Sequence, residues 1–151
     1  DNQIAVQVAL VYAKIARTDY PREWPSLFHE LLANLGGGTQ ASQAGGGSGS
    51  AMAARRVYLI LHHIVKELAS KRLFADQKNF AQISSLLFEH VWGQWCADTS
   101  SLLDGLPAAL PAPSAPPQPL LLAFERWMLL LKILRRLITF GYASDAKSLT
   151  P

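Results

Sequence analysis

Apolar residues along this chain return every three or four positions, the period of a helix with one buried face. Ile4, Val8, Val11 and Ile15 form one such stripe, while Val6, Leu10 and Tyr12 fall on other faces, so the first helix expects neighbours on more than one side. It is expected to stop near Thr18, because Pro21 cannot donate in a helix and restricts Tyr20 before it. Pro25 stands at a position that suits the start of a second helix, whose stripe is Trp24, Leu27, Phe28, Leu31, Leu32 and Leu35. A corner this short makes the two helices an antiparallel hairpin with Tyr20 and Trp24 at its elbow.

The same pattern returns twice. A third helix is predicted from Ala53 to Leu68 on Val57, Ile60, Leu61, Ile64 and Leu68, and Asp76 is placed to cap a fourth that carries Phe80, Ile83, Leu87, Val91 and Trp95 to about Ala97. A fifth is predicted from Leu120 to Phe140, closed by Gly141 and followed by a polar tail from Ser144. Two low-complexity stretches interrupt the series. Gly36 to Met52 is uncharged and rich in Gly, Ser and Ala, the composition of a flexible linker; Asp98 to Pro119 is rich in proline and is expected to be an extended spacer. The division is therefore 1–35 a helix pair, 36–52 a linker, 53–98 a second pair, 99–119 a proline-rich linker, and 120–151 the first helix of a third repeat with its tail. With the linkers set aside, the spacing matches two-helix repeats of about 40–47 residues. The fold class is all-α, an α-solenoid of HEAT-type antiparallel helix pairs.

Composition narrows the function. At 151 residues and 50% hydrophobic content the chain can bury a core of its own. A single cysteine, Cys96, rules out a disulfide framework within the chain and fits a reducing compartment. No paired-carboxylate cleft, no Ser/His/Asp set and no Cys/His cluster suggests catalysis, a cofactor or a metal, and the adjacent His62 and His63 point about 100° apart on a helix. The formal charge of +3 is spread in pairs such as Arg55-Arg56, Lys71-Arg72 and Arg135-Arg136, without a basic tract or nucleic-acid motif, so no nucleic acid is expected as a partner. Glu125, Arg126, Lys132, Arg135 and Arg136 lie within the hydrophobic fifth helix and exclude stable membrane insertion. Pro113-Ser114-Ala115-Pro116 lacks the basic flank of a polyproline ligand. Because the chain opens at Asp1 directly into a helical pattern, it is read as a fragment of a longer protein.

The elbow, Ala13-Lys14-Ile15-Ala16-Arg17 followed by Asp19-Tyr20-Pro21-Arg22-Glu23-Trp24-Pro25-Ser26-Leu27, resembles the inter-helix corner of early HEAT repeats in the importin-beta (karyopherin) superfamily. Ala69-Ser70-Lys71-Arg72-Leu73 with Ala75 to Phe80, and Leu131 to Leu137 before Gly141, are similar to the importin eleven type, in the same order. The resemblance implies a nuclear transport receptor moving between cytoplasm and nucleus and meeting the nuclear envelope. Its implied partners are the small GTPase Ran in its GTP form, protein cargo and, through the full-length receptor, nuclear pore proteins. It further implies that the helices after Trp24 and after Asp76 line the inner surface, which puts His29, Glu30 and Asn34 on one helix and Lys78, Gln82, Ser85 and Glu89 on the other in position for partner contact. A general HEAT-repeat scaffold in the cytosol and a peripheral membrane module using the last helix are the competing readings.

Overall fold

The computed structural model describes residues 2–36, 47–109 and 118–142. Five α-helices account for nearly all of them: α1 Asn2–Asp19, α2 Leu27–Gly36, α3 Gly47–Ala69, α4 Phe74–Ala109 and α5 Gln118–Gly141, and no strand occurs among the described residues. The all-α expectation and the order of helices hold. The expected flexibility of the linker over 37–46, the extended spacer over 110–117 and the polar tail from Ser144 lie outside the described residues.

Side-chain bonds between helices fix their directions. Asn2 with Arg55, Lys14 with Glu67 and Arg17 with Ser70 are each separated by 53 residues, so α1 and α3 run parallel in constant register. Arg55 also pairs with Glu125, tying α3 to α5. The remaining large contact is between α4 and α5, which run antiparallel: Ser84 lies against Gly141 near one end, Asp98 is bonded to Arg126 further along, and Gly105 approaches Leu120 at the other end. Helix α3 is thus the middle of a row, with α1 on one flank and α5 on the other, and it buries Tyr58, Leu59, Leu61, Ile64, Val65 and Leu68.

The elbow between α1 and α2 forms as a compact aromatic corner. Tyr20 meets Phe28 edge-on at 5.1 Å between ring centroids, and Tyr12 lies 6.2 Å from Trp24. Helix α2 begins at Leu27, two residues after the expected Pro25: the Ser26 carbonyl accepts the first α-helical bond, from the Glu30 amide, and the Ser26 hydroxyl donates to the Glu30 carboxylate. Helix α4 likewise begins at Phe74, so Asp76 stands in its first turn, ion-paired with Lys71 at 3.5 Å instead of capping.

Three expectations are corrected. The stripe Ile4, Val8, Val11, Ile15 does not face the core; these side chains are 42–61% exposed, while Ala9, Ala13 and Ala16 are fully buried. Small side chains let two helix backbones approach closely, and the long bonds from Lys14 and Arg17 to α3 hold α1 with that alanine face inward. Helix α3 begins at Gly47 rather than near Ala53, since once Met52 and Arg55 are packed each further residue adds a hydrogen bond for the fixing of one residue. Helix α4 does not end near Ala97 but continues to Ala109, because Asp98 and Thr99 are bonded into the interface with α5 and α4 holds no proline before Pro107.

Within that interface Asp98 is 3% exposed, and both its oxygens are held by Arg126 at 2.6 and 2.7 Å, with the Gln94 amide donating at 2.8 Å. Removing one member of a buried pair leaves the other uncompensated. Arg126→Ala, which strands the buried Asp98 carboxylate, should therefore cost about 3–5 kcal/mol, a large share of an ordinary domain's stability, and a denaturant midpoint that does not move would refute this. At the far end a methyl group on Gly141 would stand 2.1 Å from Ser84 Oγ and 2.3 Å from its Cβ, so glycine is required there for space. Gly141→Ala should lower the melting temperature by several degrees, consistent with overpacking losses of about 1–3 kcal/mol, as read by circular dichroism.

Candidate protein-interaction surface

All seven residues expected at a partner surface are exposed. On α4, Lys78, Gln82, Ser85 and Glu89 follow at helical spacing and form one solvent-facing strip, opposite the buried Phe80, Ile83, Leu87 and Val91. Ser85 donates its hydroxyl to the Ala81 carbonyl. On α2, His29 stands free of side-chain bonds among the described residues, whereas the other two are engaged locally. Glu30 accepts from the Trp24 indole at 3.3 Å and from Ser26, and the Asn34 amide donates to the Glu30 carbonyl at 2.9 Å. Helices α2 and α4 share no substantial packing, so the two sets remain separate patches.

Sequence reasoning did not anticipate how far the aromatic residues would join. Phe124, Trp127, Trp95, Trp92, Phe88 and Tyr142 follow one another across α4 and α5 with centroid separations of 5.5–6.2 Å. The ladder is anchored in the middle, where the Trp127 indole donates to Thr99 at 2.8 Å, and is open at Trp92, which is 46% exposed. Beyond Trp127 an apolar cleft of about 350 Å³ is lined by Thr99, Leu102, Leu103, Leu120, Leu121 and Phe124. The spacing of Trp92 and Trp95 could have signalled one shared face; their partners on α5 could not be read without the α4–α5 register.

Burial dominates the shifts of several titratable groups. Burial pushes the Tyr58 hydroxyl up to about 12; it sits 3.2 Å from His90 Nε2, and burial lowers the His90 ring. Burial, then the neighbouring His63, Arg136, Lys132 and Lys66, bring His62 down to about 4. Among the described residues no group of three His, Cys, Asp or Glu could hold a metal ion, and no helix is long and apolar enough to cross a membrane. Cys96 is free and half-buried.

His62 has a consequence for acid stability. Between its unfolded value near 6.5 and its folded value of about 4, the unfolded chain binds the proton that the folded one refuses. Stability is therefore undiminished above pH 6.5, falls as the pH drops through that window, and levels off below it. The melting temperature should fall between pH 7 and pH 4, and His62→Gln should reduce the slope; an unaltered slope would contradict the assignment.

The chain is similar to named proteins along nearly its whole length. It is 32% identical over 148 residues to Importin-11 of Homo sapiens and to Importin-11 of Mus musculus, and 33% identical to the importin beta-like protein kap113 of Schizosaccharomyces pombe, in each case over 98% of the chain. It spans 13–14% of the length of those relatives. No family model matches, and no solved structure matches. With helical spacing, helix order and nearly continuous similarity in agreement, the chain belongs to the importin-beta (karyopherin) superfamily and is of the importin-11 type.

Proposed function

We propose that this chain is a segment of a nuclear transport receptor that binds protein cargo under the control of the small GTPase Ran. The observation that carries the reading is the similarity to importins from three organisms over 98% of the chain. The stacked helices support it, because a row of parallel helices with a second layer beside it offers long solvent-facing strips to a partner. The receptor acts by binding, not as an enzyme. It works between cytoplasm and nucleus and meets nuclear pore proteins at the nuclear envelope.

In this reading the α4 strip Lys78, Gln82, Ser85 and Glu89 faces a partner, and His29 with Glu30 and Asn34 forms a second contact on α2. Glu30 holds the elbow through Trp24 and Ser26, and Asn34 is bonded within α2, so His29 is the freest donor of that set.

A receptor governed by a GTPase must bind its two nucleotide states with different affinity, since a ligand shifts an equilibrium only by its differential affinity. The intact protein should bind Ran loaded with GTP far more tightly than Ran loaded with GDP. Lys78→Glu should weaken the GTP complex, with the difference shrinking as salt screens exposed charge. Equal affinity for both states, measured by calorimetry at low salt, would replace this reading with a general HEAT-repeat scaffold.

A further inference from the structure

Helices that run side by side in one direction bring equivalent positions level with each other. Arg55 of α3 pairs with Glu125 of α5. Carried about two turns along both helices, that register sets His62 level with Lys132, and a further turn sets Lys66 level with Arg136. The charges of Arg136, Lys132 and Lys66 all act on the His62 ring, and the His63 ring lies 5.1 Å from it. The result is a cationic seam between α3 and α5.

Nothing anionic among the described residues answers it. The ion pairs there employ Lys14, Arg17, Arg55, Lys71 and Arg126, but not Lys66, Lys132 or Arg136. Glu67 acts on the neighbouring His63, yet its carboxylate is already held by Lys14 at 3.1 Å and Arg17 at 3.2 Å from α1. Arg136 Nε and His62 Nδ1 are both shielded from solvent and have no hydrogen-bond partner among the described residues. A shielded guanidinium N–H costs the desolvation of a charged donor; Arg136 as a whole is only half-buried, so a carboxylate can approach the rest of its guanidinium and offset that charge.

We propose that the α3–α5 seam is a docking site for an acidic peptide segment of a partner protein, with a carboxylate bound to Arg136 and further carboxylates beside Lys66 and Lys132. The extent of the seam favours a peptide. His62 to Lys66 and Lys132 to Arg136 each cover about 6 Å of helix, room for two or three Asp or Glu side chains, whereas a nucleic-acid backbone is gripped along a longer cationic track. The seam lies on α3 and α5 and is independent of the α2 and α4 contacts assigned above.

The test is fluorescence anisotropy of a labelled poly-glutamate peptide titrated with the whole chain at low ionic strength. Saturable binding is expected, weakened at least about tenfold by Lys132→Glu with Arg136→Gln, with helix content unchanged by circular dichroism. Arg22→Glu, which reverses a charge at the α1–α2 elbow outside the seam, should leave the affinity within about twofold. Should the double variant lose its fold, Lys66→Gln at an exposed position is expected to weaken binding about threefold. Absence of peptide binding, an equal loss from Arg22→Glu, no loss from the seam variants, or tighter binding of a single-stranded RNA through the same residues would each overturn the proposal.

Discussion

The packing of the second half of the molecule depends on one buried carboxylate. Asp98 sits in the middle of a long helix with almost no access to water, a situation tolerated only where a counter-charge and hydrogen bonds replace the lost hydration. Arg126 supplies both through two parallel bonds, and that geometry allows one relative position of α4 and α5. With the position fixed, Thr99 meets the Trp127 indole, the tryptophans stack, and the distant Ser84 falls against the glycine that ends α5. Moving Arg126 by one residue would turn it to another face of α5 and strand the Asp98 charge.

The first half is organised differently. Helix α1 is held against α3 by fully buried alanines and by a row of polar bonds of equal sequence separation, so close backbone approach takes the place of interlocking large side chains. This arrangement turns Ile4, Val8, Val11 and Ile15 outward. A repeat protein whose units each meet only their neighbours accommodates such a face, because every helix of a row has two flanks to cover. The parallel α1, α3 and α5 are that row, and α4 lies beside it.

The proposed function draws on surfaces of different chemistry. The structure separates three kinds: polar strips on α2 and α4, an aromatic ladder running from α4 to α5, and a cationic seam between α3 and α5. Different partners demand different chemistry, and a scaffold with distinct faces on alternate helices can hold more than one at a time. Burial disfavours the charged form of both His62 and His63, so the charge of the seam rests on lysine and arginine.

Much of this was legible in the residues alone. The three-to-four spacing of Leu27, Phe28 and Leu31, and of Phe80, Ile83, Leu87 and Val91, determined both the helices and their buried faces, because large apolar side chains at that spacing have one favourable place to go. The corner at Tyr20 to Trp24 was equally local, since proline geometry and aromatic bulk act within a few residues. The face of α1 was not legible: alanine carries little hydrophobic signal, and its value there lies in how closely a neighbouring helix can come. Nor was the reach of α4 past Ala97, for Asp98 and Thr99 look like the start of a polar break until Arg126 and Trp127 stand opposite them. The seam was hidden for the same reason. His62, Lys66, Lys132 and Arg136 are scattered charges along the chain, and only the tertiary register of two parallel helices makes them neighbours.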